Sequence, residues 1–487
     1  MKHFFALFAF FSTALFAQDS ISVATKEDVE NIKGAFEGLN ESYLETKTTV
    51  DALKKIKISG YVQAQYQITD GIAGTVFNGG AAPAPGGFSG GAFPNDVGSR
   101  FSVRRGRIKF NYDNDLTQYV MQFDVTQGGL AIKDMYASIK EPYLKLATFT
   151  GGIFDRPFGF EISYSSSNRE TPERSRLYQT IFPGERELGA KIELAPQSGI
   201  LSMFNAKVGV FNGNNNNNNE NDNNKDIIGR VGFQLPFNEE NLEIDGGASF
   251  YSGKVTSGSR AIWKIDNGTK TWKHDSTAAN NGSSFDRSYV GVDAQLYYDL
   301  PVLGGFSLRG EYITGTQPGT AASSSYYVYA KGSGTPLYSR KFSGYYVNYV
   351  QNIGLTEQIV VKYDHYTPNT DITSSNIGLG NLTTTGDIAY TTLGVGAVHH
   401  FDGNVKLTLY YEMISIQNEK LHVQQVMNAV HRFQDHGQHR DDHPNHNERV
   451  VKVVQLATVG TGEHQCMHAL AEGAAFVGNA ECFVSRN

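Results

Sequence analysis

The chain has only two cysteines in 487 residues, Cys466 and Cys482, and both lie close to its C-terminal end. Disulfides are therefore not what holds the main fold together. Beyond the first few residues no apolar run is long enough to cross a bilayer as a helix, which excludes an α-helical membrane topology. Charged residues make up 19% of the chain, fewer than in an average soluble protein. The net charge of −7 is mildly acidic and argues against nucleic acid as a partner. His399 and His400 are the only adjacent histidine pair in a strand-like segment, and no nucleophile motif accompanies them, so nothing points to an enzyme. Gly, Tyr and Phe are abundant instead, at 52, 26 and 30 residues.

Those residues fall in a repeated pattern. From about Ile58 to Met413, segments of roughly ten residues alternate apolar and polar side chains. In 285–298, Val290, Val292, Ala294, Leu296 and Tyr298 share one face, while Gly291, Asp293, Gln295 and Tyr297 share the other. In 405–413, Val405, Leu407, Leu409, Tyr411 and Met413 oppose Lys406, Thr408, Tyr410 and Glu412. Successive strand side chains point to opposite faces, so each segment has an oily side and a wet side. A tilted strand of this length crosses a bilayer core, and a sheet in lipid must close so that no edge leaves amides unpaired in hydrocarbon. The fold class expected is all-β, a transmembrane antiparallel β-barrel with a polar interior.

Fifteen strands are read, at about 58–67, 101–112, 117–126, 130–140, 144–154, 186–194, 200–211, 227–236, 242–252, 285–298, 306–316, 340–352, 357–366, 387–400 and 405–415. Tight turns rich in Gly, Pro, Asn and Asp, such as Asp113–Leu116 and Asp402–Asn404, alternate with long connections at 68–100, 155–185, 212–226, 253–284 and 317–339. Bacterial barrels have an even strand number, short periplasmic turns and long outer loops, so an N-terminus in the periplasm makes the first, long gap an outer loop. The even partner must lie after Ser415. There the composition changes: from Lys420 onward the chain carries eight of its thirteen His and both Cys. The best remaining strand candidate is Arg449 to Val459, whose Val450, Val451, Val453 and Val454 break the two-residue period. The closing strand is left unplaced, and residues 418–487 are expected to be an atypical, His-rich tail, replaced or frame-shifted. The spacings of His431, His436, His439, His443 and His446, and of His464 with Cys466 and His468, fit no structural zinc pattern, so no metal and no cofactor is expected.

Ahead of the strands, residues 1–17 read as a secretory signal: Lys2, an apolar core from Phe4 to Phe11, and Ala14 and Ala17 before a cut ahead of Gln18. Residues 18–56 read as a periplasmic helix. Val29, Ile32, Phe36, Leu39, Tyr43, Val50 and Leu53 follow heptad spacing with Thr46 in the remaining seam position, the pattern of a coiled coil. Thr25 with Asp28 resembles an N-terminal cap, and Gly34 and Gly38 weaken the helix by about 1 kcal/mol each relative to Ala. The helix is expected to support self-association, with a homotrimer preferred, rather than to cause it. The alternative is an amphipathic helix on the periplasmic rim.

At Phe101–Asp115, FSVRRGRIKFNYDND, the chain resembles the phosphate-selective porin O and P family of outer-membrane proteins. GGIFDRPFGFE, SSNRETPERS leading to FPGERELGAKI, KDIIGRVGFQLPF and VKYDHYTPNTD carry the same resemblance, which covers about 57 to 417. It implies a sixteen-stranded barrel over 57–417, usually trimeric, exported through the periplasm to the outer membrane of a Gram-negative cell. It also implies passive diffusion of phosphate and other small anions. It stops in the tail, because such proteins end in an aromatic-terminated strand and this chain ends in Arg486 and Asn487.

Anion contact is expected from two groups of residues. Arg105, Arg107 and Lys109 alternate with Ile108, Phe110 and Tyr112, which puts the cations in the lumen about 7 Å apart. A column at that spacing can hand an anion from site to site, and guanidinium groups match phosphate oxygens. The second group is Arg156, Arg169, Arg174 and Arg176 on the third outer connection, counting the short Gln127–Gly129 link, with Arg186 at its edge. Folded inward, this loop narrows the pore. Interleaved Glu161, Glu170, Glu173, Glu185 and Glu187 allow a self-neutralised loop instead, and Asp124 allows the column to be ion-paired. Lys191, Arg230 and Arg309 are further lumen candidates. A general non-specific porin and a surface-binding or adhesin barrel are the alternative functions.

Overall fold

A computed structural model describes residues 25–69, 98–215, 219–330, 332–373, 376, 383, 385–417 and 448–459. The expected signal segment and most of the His-rich tail, with both cysteines, lie outside the described residues. Two compact units divide at Ile56 and Lys57.

The first unit is a single helix, α1 (Lys26–Lys54). Its start is set by a reciprocal cap. The Asp28 amide donates to Thr25 Oγ1 (3.2 Å), while Asp28 Oδ2 accepts from the Thr25 amide (2.9 Å) and hydroxyl (2.6 Å). The seam residues Val29, Ile32, Phe36, Leu39, Tyr43, Val50 and Leu53 are all exposed on the single chain.

The second unit is one antiparallel sheet. Its strands are β1 (Ile56–Thr69), β2 (Ser99–Asp113), β3 (Thr117–Thr126), β4 (Gly129–Lys140), β5 (Ala147–Asp155), β6 (Arg186–Leu194), β7 (Phe204–Phe211), β8 (Asp226–Phe237) and β9 (Leu242–Thr256). They continue as β10 (Ile262–Ile265), β11 (Trp272–Asp275), β12 (Ser284–Leu300), β13 (Gly304–Gly319), β14 (Leu337–Ile353), β15 (Glu357–Thr367), β16 (Tyr390–His400), β17 (Val405–Ile416) and β18 (Glu448–Val459). Strands β10 and β11 form a hairpin on the long connection after β9, and the hairpin docks parallel to the start of β14. The other sixteen make the barrel. All fifteen strands read from the alternation are present, three of them shortened at the start: β5 begins at Ala147, β7 at Phe204 after a 3-10 turn over 200–203, and β16 at Tyr390 after a 3-10 turn over 385–387.

The sixteenth strand is β18. It pairs with β17 on one side (Leu409↔Val454, Tyr411↔Lys452) and with β1 on the other (Gln65↔Gln455, Tyr66↔Val454), and so joins the two ends of the sheet. The candidate at Arg449–Val459 is thus the closing strand, despite its broken period. Its backbone is paired on both sides, so pairing position, rather than alternation, places this strand.

Side-chain direction follows the two-residue period. On β12, Val290 and Val292 are 59% and 56% exposed on the outer face, while Arg287, Asp293 and Gln295 are buried inside. On β2, Ile108, Phe110 and Tyr112 face outward and Arg105 and Arg107 inward. A continuous apolar outer surface over a polar interior is the arrangement a bilayer-spanning barrel requires. The tight turns sit at one end, where Asn241 (φ 52°) and Gly354 (φ 64°) take the left-handed backbone that closing a short hairpin demands. The long connections sit at the other end.

Val292 is mid-strand on the outer face. Val292→Arg is expected to destabilise the folded barrel by about 2–4 kcal/mol, the cost of a cation at the bilayer midplane. Urea titration of folding into lipid vesicles measures this, and an unchanged midpoint would contradict the assignment of the outer face.

Candidate functional site

The connection between β5 and β6, residues 156–185, folds into the barrel. One face of it is apolar. Phe158, Ile162, Leu177, Tyr178, Ile181 and Phe182 pack on Phe211, Ile228, Tyr251, Tyr289, Ile313, Phe342, Tyr346 and Tyr366, which point inward from β7–β9 and β12–β15. Phe158 lies 5.2 Å from Phe182, and Phe182 stands edge-on to Tyr289 at 5.7 Å between ring centres. Each fully buried apolar side chain contributes about 1.5–3 kcal/mol. Ordering each backbone residue costs about 1–2 kcal/mol. An apolar stripe alone does not hold so long a loop, and polar anchors supply the rest.

The chief anchor is Glu311 on β13. Its Oε1 accepts from the amides of Phe160 (3.0 Å) and Glu161 (2.5 Å) and from the Tyr346 hydroxyl (2.7 Å), and its Oε2 accepts from the Tyr178 hydroxyl. Gly159, at φ +62°, passes so close to Glu311 and Tyr178 that a Cβ there would overlap both. A short helix, α2 (Arg176–Ile181), starts at Ser175, whose amide and hydroxyl both donate to the Glu161 carboxylate (2.9 and 2.6 Å).

The other side of the loop reaches the opposite wall. Lys406 on β17 donates to the carbonyls of Ser167 (2.5 Å) and Arg169 (3.1 Å), and Gln63 on β1 donates to the Ser166 carbonyl (2.8 Å). Lys362 on β15 donates to the Glu173 carbonyl (2.9 Å). The loop therefore bridges the lumen.

The expected cations come together here, and most are ion-paired. Arg105 meets Glu173 at 2.8 Å, and Arg104 meets the same carboxylate at 2.5 Å. Arg107 faces Asp124 at 3.8 Å. Arg186 lies 2.9 Å from Asp134, 3.1 Å from Asp155 and 3.4 Å from Glu185, which also pairs with Arg174. Arg156 is enclosed away from this wall, paired with Glu187 at 2.5 Å and held over the Phe182 and Tyr326 rings. Arg176 donates to Thr392 Oγ1 (2.9 Å) and lies over the Tyr390 ring. The self-neutralised arrangement thus describes much of the loop.

Three cations depart from it. Lys109 is half-buried next in line after Arg105 and Arg107, and it has no ion pair among the described residues. Lys133 is half-buried beside Arg107, Arg186, Asp124 and Glu185, also without an ion pair among the described residues. It reaches the lumen through a register shift in the β3–β4 ladder, where Gln122 pairs with Asp134 but Phe123 pairs with Ile132. Arg169 is buried, and none of its three guanidinium nitrogens has a partner among the described residues. Burial, with Arg174 and Arg105 nearby, pushes Arg169 down to about 9, so it stays protonated at neutral pH. Burial works to raise the Glu173 carboxyl, but Arg104, Arg105 and Arg169 around it hold it below its ordinary value.

Sequence reasoning missed Lys133, Lys362, Lys406, Arg104 and Glu311. Lys362, Lys406 and Glu311 lie at inward positions of alternating strands and were legible as such. Lys133 was not, because nothing in the local sequence announces the register shift.

A closed sixteen-stranded sheet with an apolar outer face and a loop folded into its polar lumen is a porin-type barrel. No family model matches the chain, and no curated protein matches it. Solved structures do. OprB of Pseudomonas putida superposes with a TM-score of 0.51 at 9% identity, over 85% of this chain and 96% of that one. An anion-selective porin from Comamonas acidovorans gives 0.45 at 10% identity over 83% and 99%, and the outer-membrane channel DcaP of Acinetobacter baumannii gives 0.44 at 11% over 82% and 96%. The likeness to OprB is one of fold.

Glu311→Leu removes the acceptor of two loop amides and two tyrosine hydroxyls. Each buried amide left unpaired costs about 1–3 kcal/mol. The loop is expected to come off the wall, giving new proteolytic cuts between residues 160 and 175 and a noisier, larger single-channel conductance. A variant with wild-type cleavage and conductance would show that Glu311 does not hold the loop.

Proposed function

We propose that the chain is an outer-membrane, anion-selective porin that passes phosphate and related small anions by passive diffusion. The observation that carries this reading is the wall of β2–β6 opposite the inward loop. There Arg105, Arg107, Lys109, Lys133 and Arg186 stand together, with Arg174 of the loop beside them, and the two lysines have no ion pair among the described residues. A hydrated anion enters the lumen, exchanges part of its hydration for Lys109 and Lys133, and leaves downhill. The arginines behind them, held by Glu173, Asp124, Asp134 and Glu185, add a fixed positive field without trapping the ion. Conduction needs that balance between attraction and release. The preference for phosphate rests on the sequence resemblance at Phe101–Asp115 and 155–194.

The working unit is proposed to be a homotrimer. The exposed heptad seam of α1 supports it, since such a seam buries its residues against copies of itself. The chain acts as a channel rather than an enzyme.

A second reading is a general diffusion pore with no phosphate preference. The pairing of Arg105, Arg107, Arg174 and Arg186 with carboxylates favours it, because paired guanidinium groups discriminate less among anions.

Planar-bilayer recordings test both. Under a potassium chloride gradient the reversal potential is expected to lie toward the chloride potential, and added phosphate to reduce the chloride current. Lys109→Gln with Lys133→Gln is expected to lower the anion-to-cation permeability ratio several-fold. A reversal potential at zero in the unmodified protein would defeat anion selectivity. An anion-selective current indifferent to phosphate would leave the general pore.

A further inference from the structure

Between the inward loop and the wall of β13–β15 lies a small cleft whose lining includes Glu161, Tyr164, Arg169, Arg309, Asn348 and Lys362. Its charges do not balance. Arg169, Arg309 and Lys362 are all more than nine-tenths buried there. The one lining carboxylate, Glu161, already accepts both bonds from Ser175. Arg309 lies over the Tyr164 ring at 4.8 Å and donates Nη2 to Glu170 at 2.8 Å, while its Nε and Nη1 have no hydrogen-bond partner among the described residues. Arg169 spends none of its three nitrogens. Lys362 uses one proton on the Glu173 carbonyl. A buried guanidinium stays charged and is very unfavourable without an acceptor. The cleft is small, with space comparable to about one water, so among anions it favours a monatomic halide over a larger tetrahedral oxyanion.

We propose that a single halide-sized anion, chloride under ordinary conditions, binds in this cleft against Arg169 and Arg309 and fixes the inward loop to β13–β15. It is a resident ion and not one in transit. It neutralises a loop guanidinium whose three nitrogens have no hydrogen-bond partner among the described residues, and it receives donors from both the loop and the wall. Because it does not depend on what the pore passes, it stands or falls separately from phosphate selectivity.

Crystals of the full chain grown with bromide in place of chloride test it. An anomalous peak in contact with the Arg169 guanidinium is expected, and a water molecule there with no anomalous signal overturns the proposal. In detergent solution, the melting temperature is expected to fall when chloride is replaced by gluconate at equal ionic strength, because gluconate is too large for the cleft. An unchanged melting temperature overturns it. Arg169→Gln is expected to lose the bromide peak, and a peak retained in that variant places the ion elsewhere. Asn348→Asp brings a negative charge into the cleft from the chain itself and keeps every cation. It is expected to fold and to lose the dependence on chloride, whereas full dependence in that variant contradicts the proposal.

Discussion

Everything in the barrel depends on the pairing of β18 with both β1 and β17. In hydrocarbon no water meets an unpaired amide, so a sheet with two free edges has no stable place in a bilayer. Strands β1 to β17 alone would leave such edges along β1 and β17. The ladder Tyr61↔Val459 through Thr69↔Val451 removes one, and Val405↔Thr458 through Ser415↔Glu448 removes the other. Closure also gives the structure an inside. Without it, Arg105, Arg107 and Gln63 would share no lumen with Glu311 and Arg309, and the loop at 156–185 would have nothing to span.

The loop then makes that inside asymmetric. Its aromatic face packs on β7–β9 and β12–β15, and its polar face meets Gln63 of β1, Arg105 of β2 and Lys406 of β17. The carboxylates on and beside the loop have two effects. They hold arginines in place through pairs such as Arg105–Glu173 and Arg186–Asp134, and they reduce the field those arginines exert. Breaking a buried pair of this kind by removing one partner costs about 3–5 kcal/mol, so these arginines are as much framework as binding site. The half-buried Lys109 and Lys133, without an ion pair among the described residues, are freer to meet a passing ion. Lysine suits that role, being a compact charge that binds anions without the bidentate grip of arginine.

The barrel was legible because its cause is local. Alternation at Val290–Tyr298 and Val405–Met413 states directly which face meets lipid, and turn residues at 113–116, 238–241 and 402–404 mark the hairpins. The inward loop was legible from its arginines and its position as the third long-end connection. Its partners were not, because contacts such as Glu311 with Phe160, or Lys406 with Ser167, join residues more than a hundred positions apart and follow from closure. The closing strand was half legible. Glu448–Val459 lacks the two-residue period, since both faces carry valine, and only its place between β17 and β1 identifies it. Ion pairing was anticipated as an alternative for Arg107 with Asp124 and for the loop. What sequence left open was which cations would lack a partner among the described residues. Lys133 follows from the register shift in the β3–β4 ladder, and Arg169 from the packing of the loop inside the barrel.

The register of closure is the most direct test. Cysteines replacing Tyr66 and Val454, which stand opposite each other in the β1–β18 ladder, are placed at the Cα separation of about 4.5–5.5 Å that a disulfide accepts. With Cys466 and Cys482 changed to serine, mild oxidation of the membrane-inserted protein is expected to link residues 66 and 454 nearly completely. A pair displaced by two residues, 66 with 456, is expected to link far less. Equal linkage of the two pairs, or none of the first, would contradict a barrel closed by β18.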